Sequence, residues 1–279
     1  MGTWRPSPIG EGEGHEGITV AESFCVSPKT SHNMRVVIIT GGSSGIGRGI
    51  AEAFVKEDAH VVIIGRNEQK LKSTAQAIGL NCVWQQADVS KRNEVTEVVN
   101  FVVQQYGNID VLVNAAGFPR WLTTSTPLDE AEQLWDEVIN TNLKGTFLMA
   151  MAVAPHLTKP GGRIINISTN AAFTGGNRPG YLGYTSAKAG VHGLTYALAR
   201  ELSPQGITVN AVAPGYIENT AITNQWSEEI VESIVNQTPV GRSGNVGDVV
   251  AAVLFLSSQK ASFITGEVLN VNGGLLFGR

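Results

Sequence analysis

Tyr184 and Lys188 stand four residues apart in the stretch GYLGYTSAKAG, residues 180–190. Residues four apart on a helix share a face, so a helical stretch sets this phenol beside an ammonium. A phenol in water titrates near ~10 and exchanges its proton poorly at neutrality. A fixed cation nearby stabilises the phenolate, and the expected result is a tyrosine made more acidic. The chemistry implied is proton transfer, where a positioned general acid contributes ~10² to 10⁴ in rate. The neighbouring Tyr181 has no lysine four residues on.

Elements that could hold such a pair lie on both sides of it. Short β-branched runs recur: RVVIIT at 35–40, HVVIIG at 60–65, CVWQQA at 82–87, IDVLVN at 109–114, RIINIS at 163–168, ITVNAVA at 207–213 and EVLNVN at 267–272. Between them Ile46, Ile50 and Phe54, then Val95, Val98, Val99, Val102 and Tyr106, recur at helical spacing. Strands alternating with helices predict a parallel sheet, and right-handed crossovers cover both its faces. The expected fold class is α/β, a doubly wound Rossmann sheet of seven strands in a single domain.

The first strand runs into TGGSSGIG, residues 40–47. Gly41, Gly45 and Gly47 allow a tight bend and a close ligand approach, and the amides of Ser43, Ser44, Gly45, Ile46 and Gly47 at a helix start favour a pyrophosphate. The second strand ends in Gly65, where an acidic ribose acceptor is common, and Arg66 follows. A cation there suits a 2′-phosphate, so NADP(H) is favoured over NAD(H). Asp88 and Val89 end the third strand, and Asn114, Ala115 and Gly117 the fourth. Asp88 can accept from an adenine amino group, and the small residues let the chain pass close to a ribose.

Together these motifs resemble the short-chain dehydrogenase/reductase family: TGxxxGxG at 40–47, NAAG at 114–117, Asn142 in NTNLKGTF, YxxxK at 184–188, PGYI at 214–217 and GEVLNVNGG at 266–274, in the family's order. The resemblance spans roughly residues 34–274. It implies hydride transfer between a nicotinamide and a ketone or secondary alcohol, with homotetramers or homodimers frequent. By it Tyr184 protonates the carbonyl oxygen, Lys188 also holds the nicotinamide ribose, and Asn142 links the lysine to solvent through water. Thr169 stands where the family places a serine against the substrate carbonyl, with Ser168 the alternative. The stretch from Thr169 to Tyr184 is longer than the family pattern. Pro214, Gly215 and Ile217 are expected beside the nicotinamide, and Thr220, or Asn219 before it, at the pyrophosphate. Phe118, Trp121, Tyr181, Tyr216 and Trp226 are candidates for an aromatic substrate pocket, with a lid expected over 221–240.

Composition narrows the classes further. The net charge of −4 and a charged fraction of 16% leave no basic surplus for nucleic acid or an anionic membrane surface. The two cysteines, Cys25 and Cys82, form no CxxC, and no metal site is expected. No apolar run reaches the ~20 residues of a membrane helix. A soluble, cytoplasmic protein is expected. Residues 1–33, rich in Gly, Pro, Ser and Glu, are expected to be a flexible leader to a domain over 34–279. Within the family the overall pattern resembles 3-oxoacyl carrier-protein reductases. Gln205, in ELSPQG, stands where a basic residue would help an acidic carrier dock, so a small or medium ketone is preferred. A non-enzymatic dinucleotide sensor is the remaining alternative, against which the intact Tyr184, Lys188 and Asn142 argue.

Overall fold

The computed structural model describes residues 34–224 and 226–278. The expected leader, residues 1–33, lies outside the described residues. The β-branched runs form β1 (Val36–Thr40), β2 (His60–Gly65), β3 (Cys82–Gln86), β4 (Val111–Asn114), β5 (Arg163–Ile167), β6 (Thr208–Pro214) and β7 (Val268–Val271). They make one parallel sheet in the order β3-β2-β1-β4-β5-β6-β7. Several strands are a residue or two shorter than their apolar runs. Ile109, for example, leaves β4 and pairs with Leu157 in an isolated bridge.

The crossovers are α1 (Gly45–Lys56), α2 (Glu68–Ile78), α3 (Arg92–Tyr106), α4 (Leu128–Ile139), α5 (Gly145–Val153), a short α6 (Ala171–Thr174), α7 (Leu182–Leu202), α8 (Glu228–Gln237) and α9 (Val246–Leu256). Strand alternation decides which helix each residue meets. Val36, Ile38, Val62, Ile64, Leu112 and Ile164 face one side, against Val95, Val98 and Val102 of α3, Met149 and Val153 of α5, and Leu198 and Leu202 of α7. Val37, Ile39, Val61, Ile63, Val113 and Ile165 face the other, against Ile50 and Phe54 of α1, Leu71 of α2, and Val249 and Val253 of α9. Nearly all are fully buried, and each such side chain contributes ~1.5–3 kcal/mol. This is the expected Rossmann sheet with helices on both faces. Because both faces are covered, the strands read as apolar runs without polar alternation.

The sheet order reverses between β1 and β4, so their connections leave in opposite directions and open a crevice at the carboxyl ends of the strands. Among the described residues no helix is long and apolar enough to cross a membrane.

Candidate active site

The glycines after β1 are fixed by backbone contact. A Cβ on Gly47 would lie 2.4 Å from the Gly41 carbonyl oxygen, and Gly41 itself has φ +69° with the Ala115 carbonyl against it. The turn is pinned to the next loop by Thr40, whose Oγ1 accepts from the amides of Ala115 and Ala116, both at 3.0 Å. Ser44 is the N-cap of α1, yet its hydroxyl caps no amide, and the first turn carries no acid. The amides and the positive end of the helix dipole are therefore free to meet an anion. Thr220, buried, faces Gly45 across the gap. Asn219 is exposed with φ +57°, so of the two candidates Thr220 is at the cleft.

Tyr184 and Lys188 sit on one face of α7, as their spacing requires. The Lys188 Nζ lies 5.9 Å from the Tyr184 ring centroid and donates to the Ile167 carbonyl at 2.7 Å. The expected acidification of the phenol is not what results. Burial pushes the Tyr184 phenol well above the usual tyrosine range, and Tyr181, its ring 6.2 Å away, adds to the rise. The lysine is itself desolvated, which brings it down to about 8. Desolvation penalises both charged forms and is the first cause of each shift.

Asn142 is fully buried in an irregular turn of wider helix, residues 140–144, joining α4 to α5. Its Nδ2 donates to the carbonyls of Val138 at 2.9 Å and Phe118 at 3.0 Å, while its Oδ1 has no donor among the described residues. That oxygen and Lys188 Nζ both border Gly117: a Cβ there would stand 2.4 Å from the first and 3.2 Å from the second. An orphaned acceptor beside an ammonium is a place for a bridging polar group.

At the end of β5 the two hydroxyls separate. Ser168 is buried, its Oγ paired with His192 Nε2 at 2.7 Å and reaching the Lys188 carbonyl at 3.3 Å. Burial, then the Lys188 charge, hold the His192 imidazole below its usual value. Thr169 is more open, its hydroxyl accepting from the Ala171 amide at 3.2 Å.

A cleft of about 740 Å³ joins these pieces. Its walls include Gly41, Ser44, Gly45, Ile46, Gly47, Ala115, Gly117, Ser168, Thr169, Tyr184, Lys188, Pro214, Gly215, Ile217 and Thr220. Of the aromatic candidates, Tyr181, Tyr216 and Trp226 line it, the last two stacked at 5.3 Å. The segment expected to form a lid supplies α8, whose Glu229, Ile230, Ser233 and Ile234 close one wall.

Other expected site residues lie outside these walls. Asn114 turns into the sheet, its Nδ2 donating to Asn166 Oδ1 at 3.0 Å, and Asn166 donates in turn to Thr195 Oγ1 on α7 at 2.9 Å. Val89 is core, packed on Gly145. The Ser43 carbonyl accepts from Thr74 Oγ1 at 3.3 Å. Asp88 accepts from the Ser90 amide and hydroxyl. Burial alone would raise its carboxyl, but these bonds, with Arg66 and Lys91 nearby, hold it below the usual range. Arg66 is exposed at the end of β2 and stacks 5.3 Å from the Phe118 ring. Phe118 takes Arg120 on its ring as well, at 4.7 Å, and so belongs to this margin and not to the aromatic wall. Among the described residues no group of acids, histidines and cysteines could hold a metal ion.

The family model described as enoyl-(acyl carrier protein) reductase matches residues 41–276, which takes in the glycine turn, the Tyr184–Lys188 face and β7. A short-chain dehydrogenase structure from Bacillus anthracis superposes with a TM-score of 0.77 at 32% identity, covering 88% of this chain and 98% of that one. The chain belongs to the short-chain dehydrogenase/reductase family. It is an NAD(P)-dependent oxidoreductase acting on CH–OH and ketone groups. The 3-oxoacyl-[acyl-carrier-protein] reductase FabG of Staphylococcus epidermidis is 40% identical over 243 residues, 85% of this chain and 97% of that protein. Its namesake from Thermotoga maritima is 39% identical over 246 residues, covering 87% and 98%. A structure titled short-chain dehydrogenase/reductase SDR:Glucose/ribitol dehydrogenase, from Brucella melitensis, gives a TM-score of 0.79 at 30% identity and covers 88% and 97%.

For this family member the residues present fit a nicotinamide dinucleotide: an uncapped helix start without acid, a glycine turn that admits no Cβ, and an orphaned acceptor beside the lysine. Sequence reasoning passed over Arg178, which lines the cleft on the loop between α6 and α7. Its flanking glycines and proline mark a turn but not which way the guanidinium points.

Proposed function

We propose that the protein is an NADP(H)-dependent reductase of a small or medium ketone, with the Tyr184 phenol passing its proton to the carbonyl oxygen. The observation that carries this reading is the single cleft in which Tyr184, Lys188 and Thr169 face the uncapped start of α1. The nicotinamide, when bound, supplies the hydride. The phenol is protonated at neutrality, and burial makes it a weaker acid than free tyrosine, so it yields its proton only to the strongly basic oxygen that forms as the carbonyl is reduced. Thr169, whose hydroxyl is the more open of the two, hydrogen-bonds the substrate oxygen, and Ser168 with His192 braces the wall behind it. Lys188 holds the ribose, and Asn142 Oδ1 connects it to solvent.

The amides of residues 44–47, with Thr220, hold the pyrophosphate; Pro214, Gly215 and Ile217 border the nicotinamide; Ala115 and Gly117 border a ribose, and Asp88 meets the adenine. Arg66, the exposed cation that follows β2, takes the 2′-phosphate and favours NADP(H) over NAD(H). We place the protein in the cytoplasm and read it as a homotetramer or homodimer, the assembly being supported by exposed apolar side chains on α4, α5 and α7: Trp135, Phe147, Met151 and Tyr196.

Reduction of a 3-oxoacyl group on a carrier protein is the second reading, favoured by the names of the 40% and 39% identical relatives. A panel of small ketones and of carrier-bound and free 3-oxoacyl substrates, followed by NADPH and NADH absorbance, separates the two. Turnover of small ketones with NADPH is expected. Turnover of carrier-bound groups alone reverses the ranking, and preference for NADH removes the role given to Arg66.

A further inference from the structure

Among the described residues two cations line the cleft, and the proposed chemistry uses one of them, Lys188, which also donates to the Ile167 carbonyl. Arg178 is held among aromatic faces, its guanidinium carbon 5.1 Å from the Trp226 ring centroid and 5.7 Å from those of Tyr181 and Trp121. One of its terminal nitrogens donates to the Tyr181 hydroxyl at 3.1 Å. The Nε is buried and has no partner among the described residues. None of the ion pairs among the described residues includes Arg178, and the only acid lining the same cleft is the exposed Glu229 of α8. A guanidinium carries five N–H donors in a rigid fork, so most of this one's donors are unspent.

The mounting is rigid on both sides. The Leu122 amide donates to the Gly180 carbonyl at 2.9 Å, and Leu122 bridges Tyr181, so the Trp121 loop is stitched to the loop that carries Arg178. A Cβ on Gly180 would strike the Trp121 indole at 2.3 Å, which shows how closely that ring lies on the loop. Aromatic faces satisfy a guanidinium electrostatically while withholding water, and they leave its in-plane N–H groups directed outward. Such a cation is suited to a planar or tetrahedral oxyanion taken bidentately. The ring whose hydroxyl it bonds, Tyr181, is also the ring next to Tyr184, 6.2 Å between centroids.

We propose that Arg178 determines specificity by binding an anionic group, carboxylate or phosphate, carried by the ketone substrate one aromatic ring away from the carbonyl that Tyr184 serves. This deepens the proposed function and rests on its placement of the reacting carbonyl at Tyr184. The substrate class is a ketone with an acidic group several bonds from the carbonyl. A ketone in which the acid adjoins the carbonyl would not span the intervening ring.

The test uses matched pairs that differ only in charge: a medium-chain keto acid with its methyl ester, and a hydroxyketone phosphate with its free alcohol, each with the NADPH-loaded enzyme. The wild type is expected to prefer the charged member by roughly ten- to a hundred-fold in kcat/KM, the range of a hydrogen bond to a charged group, expressed mainly in KM. Arg178→Met is expected to bring the charged-to-neutral ratio close to one, and Arg178→Lys, which keeps the charge but not the fork, to give an intermediate ratio. Whichever pair responds names the anion. Equal handling of both members by the wild type overturns the proposal even if a variant fails to fold, as does a ratio unchanged in Arg178→Met. Calorimetric binding of acid and ester to the protein–NADP⁺ complex keeps the two readings apart. No turnover with any ketone, alongside tighter binding of the acid that Arg178→Met abolishes, defeats the ketone-reductase reading and leaves Arg178 as an anion site.

Discussion

Lys188 Nζ stands 5.9 Å from the centroid of the Tyr184 ring and spends its hydrogen bond on the Ile167 carbonyl, at 2.7 Å. The ammonium therefore neighbours the phenol ring without bonding its oxygen, and burial governs the charge state of both groups. The phenol is held in its protonated form, and the lysine beside it changes charge at about 8.

Removal of the phenol hydroxyl tests the donor directly. Tyr184→Phe is expected to lower kcat for ketone reduction by ~10² to 10⁴, the usual contribution of a positioned acid, with NADPH affinity nearly unchanged. Stopped-flow turnover and fluorescence titration of NADPH check the two halves. Undiminished turnover would show that the proton comes from elsewhere.

The pH profile should report the lysine. Lys188, brought down to about 8 by burial, is charged below that pH and neutral above it. If its charge holds the ribose and favours proton flow, kcat/KM for reduction is level between neutrality and about 8 and declines as pH rises through that value. A profile that stays flat well into the alkaline range, measured at constant ionic strength, contradicts this role.

Beneath the cleft, Asn166 joins Asn114 of β4 to Thr195 of α7. Asn166→Ala strands the Asn114 amide and one bond of Thr195 in the interior, each costing about 1–3 kcal/mol. Thermal unfolding is expected to move down by several degrees, with the loss larger than for an exposed asparagine such as Asn236. An unshifted melting temperature would mean that the chain of amides contributes nothing net.

Much of this protein was decided by local pattern. Unbroken runs of Val and Ile in β1 and β2 required helices on both faces of a parallel sheet, because neither set of side chains could be left in water. Four-residue spacing put Tyr184 and Lys188 on one face of α7, and the clash a Cβ would make at Gly47 ties the glycine turn to its shape. What only the tertiary structure decided concerns groups whose partners lie far along the chain. Ser168 is withdrawn by His192, leaving the open hydroxyl to Thr169; Asn114 serves Asn166 instead of the cleft. Arg178 gains its meaning from Trp121 and Trp226, which the sequence holds far from it. The acidity of Tyr184 went the opposite way from its spacing with lysine because desolvation is set by everything packed around a group, whereas spacing counts one neighbour at a time.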